Sequence, residues 1–136
     1  MKKHLVILVL FWLTNINSQN LKNEDVAGVW KVTKVLRLSN KSIDKELITS
    51  FKKAFFYFKK TQNFGLKTEY MSESFSKATL SLSGVKWKLE GNKIFIGSEK
   101  NDYNSLVIVP SIKNKRYYFD FFKNKDLSFL LRVEKQ

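Results

Sequence analysis

Beyond residue 18 the chain holds no histidine and no cysteine. The chemistry left to it is that of carboxylates, hydroxyls and amines. Zinc sites draw on imidazole and thiolate ligands. Nucleophile–base pairs built on histidine or cysteine are closed off for the same reason. Paired carboxylates do occur, Glu69 with Glu73 and Asp44 with Glu46. Neither pair has the apolar surroundings that acid–base work requires, so both are expected on solvated faces. Asp120 lies inside an aromatic run, but strand alternation turns it away from Tyr117, Phe119 and Phe121. Asn101-Asp102-Tyr103-Asn104 carries too few acids for a calcium loop. No glycine-rich phosphate loop occurs. No catalytic residue, metal site or cofactor is therefore expected, and the protein is not read as an enzyme.

Rings are what remains to carry function. From Gln19 onward there are 11 phenylalanines, 5 tyrosines and 2 tryptophans, enough to line a shared interior. Charge is the other resource. The full chain carries +13; from Gln19 onward 23 basic residues face 12 acidic ones, leaving +11. A field of that sign concentrates anionic partners. Nucleic acid is not expected, because only Arg37, Arg116 and Arg132 are arginines and the lysines are scattered. An anionic envelope lipid or polysaccharide suits the charge better.

The N-terminus explains the choice of an envelope partner. Met1-Lys2-Lys3-His4 precedes an apolar run from Leu5 to Leu13, and polar residues follow. This is the pattern of a secretory signal peptide over residues 1–18, cut after Ser18. Nine apolar residues rise about 14 Å as a helix, short of a bilayer core of roughly 30 Å. A buried N-terminal helix and an uncleaved anchor are the alternatives. The remaining 19–136 is expected as one exported domain, periplasmic or secreted and monomeric. Without cysteine it must be held by its apolar core.

The elements that would position the rings read as strands. Short apolar runs recur between polar or glycine-bearing breaks. The first, Val29 to Leu38, places Trp30, Val32, Leu36 and Leu38 on one face. Lys34 interrupts that face, which puts it near an open end or marks a bulge. One short helix is expected next, capped by Ser42, with Ile43, Leu47, Ile48 and Phe51 on one side. Strands follow at Ala54–Phe58, Phe64–Tyr70, Thr79–Leu89 broken at Gly84, and Ile94–Ile96. Further strands are expected at Leu106–Val109 ended by Pro110, at Arg116–Phe122, and at Leu127–Val133. Residues 71–77 read as a loop, and Gly91-Asn92 as a tight hairpin turn. The expected fold is all-β: an eight-stranded antiparallel up-and-down barrel with one short helix after the first strand. Closure removes exposed edges, and eight strands leave an interior that side chains nearly fill.

Gly28-Val29-Trp30 at the start of the first strand resembles the Gly-X-Trp motif of lipocalins. Arg132 matches the arginine that packs over that tryptophan in the family and closes the barrel floor. Trp87-Lys88-Leu89-Glu90-Gly91-Asn92-Lys93-Ile94 resembles the mid-domain hairpin of the short lipocalin-like domains that bacteria export. Asn101-Asp102-Tyr103 is similar to the family's Thr-Asp-Tyr signature, with the threonine replaced and three strands following rather than two. Full lipocalins are longer and carry a helix after the barrel. The helix expected here after the first strand is closer to the lid of the fatty-acid-binding relatives.

The resemblance implies a cup for an apolar or anionic amphiphilic small molecule. Phe56, Phe58, Tyr70, Trp87, Phe119 and Phe121 would form its wall, Leu47 and Phe51 a lid, and Lys34 a partner for a ligand's acid group at the mouth. Gly28, Trp30 and Arg132 would form its floor. Burying roughly 300 Å² of ligand contributes about 7 kcal/mol, and association costs offset at least ~4 kcal/mol of it. Micromolar-to-millimolar affinity is the expectation. The alternative is a packed, ligand-free barrel that acts through its cationic surface on a protein or an acidic envelope polymer.

Overall fold

The computed structural model describes residues 21–38, 45–124 and 127–136. The expected leader over 1–18 and the helix start at Ser42 to Asp44 lie outside them. A short helix α1 (Asn23–Val26) precedes strand β1 (Gly28–Leu38) and helix α2 (Lys45–Lys52). β2 (Ala54–Phe58) and β3 (Phe64–Thr68) follow, then helix α3 (Glu73–Thr79) and a 3-10 turn at Leu80–Leu82. The rest is β4 (Lys86–Glu90), β5 (Lys93–Gly97), β6 (Leu106–Lys113), β7 (Arg116–Asn124) and β8 (Leu127–Lys135).

The eight strands form one antiparallel sheet in the order β3-β2-β1-β8-β7-β6-β5-β4. Chain neighbours pair except across β3/β4, and β1 joins β8, so the sheet rolls into a nearly closed up-and-down barrel. The seam between β3 and β4 is held at one point. There the Phe64 amide donates to the Val85 carbonyl at 3.1 Å and the Trp87 amide to the Gln62 carbonyl at 2.8 Å.

Alternation decides what faces inward. In β2, Ala54, Phe56 and Phe58 are buried while Phe55 and Tyr57 lie outside. In β7 and β8, Phe119, Phe121, Phe129, Leu131 and Val133 fill the interior. β1 departs from the expected face. Register shifts between Val32 and Lys34, and again between Val35 and Arg37, mark two β-bulges. The first flips the parity, so Val35 turns inward opposite Leu131, and Lys34 turns outward opposite Arg132. Leu36, expected inside, is 42% exposed. The Thr33 hydroxyl pins this bulge: it donates to the Arg132 carbonyl at 3.2 Å and accepts from Arg132 Nε at 3.1 Å.

Three further departures have simple causes. Residues 73–79 are helical rather than loop, because Ser72 caps the first turn by accepting from the Phe75 amide at 3.1 Å. The strand expected from Thr79 begins only at Lys86, after the helix and the 3-10 turn. β6 runs through Pro110 to Lys113, because the paired register with β5 covers only Leu106 to Ile108. Pro110 therefore has no ladder bond to supply on that side.

Candidate functional site

One end of the barrel is plugged. Helix α2 packs on β1 and on α3, and drives Phe51 inward at 1% exposure. Phe51 meets Phe75 of α3 at 5.2 Å between centroids, Phe121 at 5.4 Å and Phe129 at 4.6 Å. Beneath the helices Ser50 and Ser72 share a 2.8 Å hydroxyl contact, and Thr68 Oγ1 donates to the Ser50 carbonyl at 2.6 Å. Leu47 and Phe51, expected as a lid over a cup, instead belong to a solid apolar stopper.

The interior below is full. Phe56, Phe58, Trp87, Phe119 and Phe121 are each at most 2% exposed. Phe119 lies edge-on to Phe56 at 5.6 Å and to Phe58 at 6.0 Å, and Phe58 meets Trp87 at 5.6 Å. The Trp87 indole N–H donates to the Lys59 carbonyl at 2.9 Å. These five expected wall residues do converge, but upon one another, as the rings of a packed core do. Tyr70 does not join them: it follows β3 and is 41% exposed. Lys34 is exposed on the outside, turned there by the bulge.

Open space lies at the opposite end, which the motif reading makes the closed floor. A cleft of about 660 Å³ opens there between α1, the β4–β5 turn and the ends of β6 and β7. Its apolar lining is Val26, Trp30, Ile94, Pro110, Ile112, Tyr117 and Phe119. Its polar lining is Glu24, Asp25, Asn92, Ser111 and Lys135, and Leu21 completes the rim. Trp30 is 3% exposed and forms part of the deep wall, with Phe119 at 5.3 Å and Tyr117 edge-on at 5.2 Å. Tyr117 and Ile112 stand out at 41% and 60% exposure.

Helix α1 is strapped across this end. The Trp30 indole N–H donates to the Val26 carbonyl at 2.8 Å. The Leu21 amide donates to Asn92 Oδ1 at 2.8 Å, which ties the strap to the β4–β5 hairpin. Lys135 Nζ donates to the Glu24 and Asp25 carbonyls, each at 3.3 Å. The same ammonium lies 5.5 Å from the centre of the Trp30 ring. The cation over the tryptophan is thus Lys135, not Arg132. The register decides it: Trp30 pairs with Lys135, whereas Arg132 pairs with Lys34. Gly28 makes the arrangement fit. Its φ is +137°, and a β-carbon there would lie 2.9 Å from Lys135 Cε.

Sequence reasoning missed Ile112, Tyr117 and Lys135 as members of a site. Tyr117 and Ile112 face each other across the β6–β7 ladder, beyond the reach of β5. The signal available was the length of that hairpin. Among the described residues no group of acids is arranged to hold a metal ion, and no helix is long and apolar enough to cross a membrane. Comparison with protein-family models, curated proteins and solved structures finds no significant match in any of the three.

Proposed function

We propose that this chain is an exported, lipocalin-like binding protein that holds one small apolar or amphipathic molecule in the cleft beside Trp30. One observation carries the reading. The barrel centre is packed, yet at this end Ile112 and Tyr117 present apolar surface toward open space of about 660 Å³. That volume falls within the range of small-molecule sites. The ligand's apolar body packs against Ile112 and Tyr117 over Trp30, and its polar end meets Asn92, Ser111 or Lys135 at the rim. Shallow burial against a preformed wall suits micromolar-to-millimolar affinity, because association offsets much of the gain. Gly28 and Trp30, with Lys135 in place of the family's arginine, support the lipocalin-like assignment.

A brominated fatty acid tests the reading by quenching tryptophan on contact. In a chain that keeps Trp30 alone (Trp12→Phe, Trp87→Phe), emission falls saturably as the acid is added. In a chain that keeps Trp87 alone (Trp12→Phe, Trp30→Phe), it does not, because Phe58 and its neighbours wall that indole in. Equal quenching of both, or no saturable quenching of Trp30, would overturn the proposal.

A further inference from the structure

The lip of the cleft carries a second pattern. Strands β6 and β7 remain paired down to Lys113 and Arg116, five residues past the last β5 partner at Ile108. The hairpin turns at Asn114 and Lys115, whose φ values of +53° and +64° match the twist of a tight two-residue turn. All residues from 111 to 117 are exposed, and Lys113, Lys115 and Arg116 supply three cations with no acid among them. Ile112 and Tyr117 sit directly between these cations and the cleft. At the base of the turn a crevice of about 160 Å³ is lined by Lys115, Arg116 and Arg132, with Tyr117, Val133 and Glu134. Glu134 is the only carboxylate on that lining.

We propose that the β6–β7 hairpin docks on an anionic bilayer, its crevice receiving a lipid phosphate while Ile112 and Tyr117 enter the interface. Both parts match what a bilayer surface offers. Juxtaposed lysines and arginines are drawn to anionic headgroups. An amphipathic aromatic ring and an aliphatic side chain settle at the headgroup boundary. Docking in this orientation sets the cleft mouth against the membrane, the source of the amphiphile, a purpose that rests on the cleft reading above. An acidic soluble polymer would use the charges but would gain nothing from the apolar surface that Ile112 and Tyr117 expose next to them.

The absence of cysteine from the chain allows the test to be local. An environment-sensitive fluorophore is attached at Lys113→Cys beside the tip, a position outside both the cleft and the crevice lining, or at Ser76→Cys on α3 at the other end. Vesicles of phosphatidylcholine with phosphatidylglycerol blue-shift the label at 113 and not at 76; vesicles of phosphatidylcholine alone shift neither. Lys115→Asn with Arg116→Ser weakens the response at least about tenfold, and Ile112→Ser with Tyr117→Ser reduces the shift itself. Removing two cations elsewhere, by Lys52→Ser with Lys53→Ser, leaves it intact. An equal shift at 76, or equal losses from the two charge pairs, would show diffuse attraction and overturn docking. Abolition by millimolar inorganic phosphate at fixed ionic strength would make the crevice a free-anion site and overturn it as well. The label at 113 lies outside the cleft lining and reads the tip rather than cleft occupancy, so this test and the quenching of Trp30 stand or fall separately.

Discussion

Lys135 lies over the indole of Trp30, 5.5 Å from its centre, while its ammonium holds two carbonyls of helix α1. One side chain therefore joins the last strand, the first strand and the strap in front of them. It does so across Gly28, whose missing side chain is the space through which the lysine stem passes. A cation over an indole at an exposed site contributes about 0.5–1 kcal/mol.

Gly28 and Lys135 should therefore be energetically coupled. Gly28→Ala lowers stability by roughly 1–3 kcal/mol, combining a strained backbone with the close approach to Lys135 Cε. Lys135→Ala alone costs about 0.5–1 kcal/mol. The double variant loses less than the sum, because only the backbone strain survives once the stem is gone. Urea unfolding midpoints of the four chains read the coupling, and strict additivity would mean that the stem does not need the glycine.

The bulge at Thr33 makes neighbouring positions on β1 behave oppositely. Leu36→Ser, on the exposed side, changes stability by no more than about 0.5 kcal/mol. Val35→Ser, facing Leu131, costs about 1–3 kcal/mol by placing a hydroxyl against the core. Thermal unfolding of the two variants measures the contrast. The reverse order would mean that β1 keeps a regular alternation.

The stopper at the helical end should be intolerant of truncation. Phe75→Ala removes a ring with no exposed surface that packs edge-on against Phe51. The loss is about 3–5 kcal/mol, since helices α2 and α3 cannot collapse fully onto the void. Denaturant unfolding gives the value. If stability is nearly unchanged, the helices are a movable lid after all.

Much of the architecture was legible because strands announce themselves by alternation. Trp87-Leu89, Phe119-Phe121 and Phe129-Leu131-Val133 alternate as expected, and Gly91-Asn92 turns where expected, with φ values of +53° and +64°. Helix α2 showed through the spacing of Leu47 and Phe51. The bulges did not, because an extra residue in a strand leaves no compositional trace. Only Lys34 on an apolar face hinted at one. Helix α3 buries Phe75 and little else, so it carried almost no periodicity. The rings of the expected wall were identified, but whether rings enclose a void or fill it depends on their rotamers and on the helices above them. The cation over Trp30 depended on a register that the bulges shift, so Arg132 and Lys135 were not distinguishable in one dimension.

The pairing of β1 with β8 bears on how the molecule comes together. The strand nearest the front of the chain completes its ladder on the one nearest the back, and the lone stitch between β3 and β4 cannot substitute for it. Such distant pairing slows folding, because a long loop must close before the contact offsets its entropy. A rearranged chain that starts in the segment before β4 and links residue 135 to the α1 strap would turn every ladder into a local one. It would keep the same barrel and reach it faster.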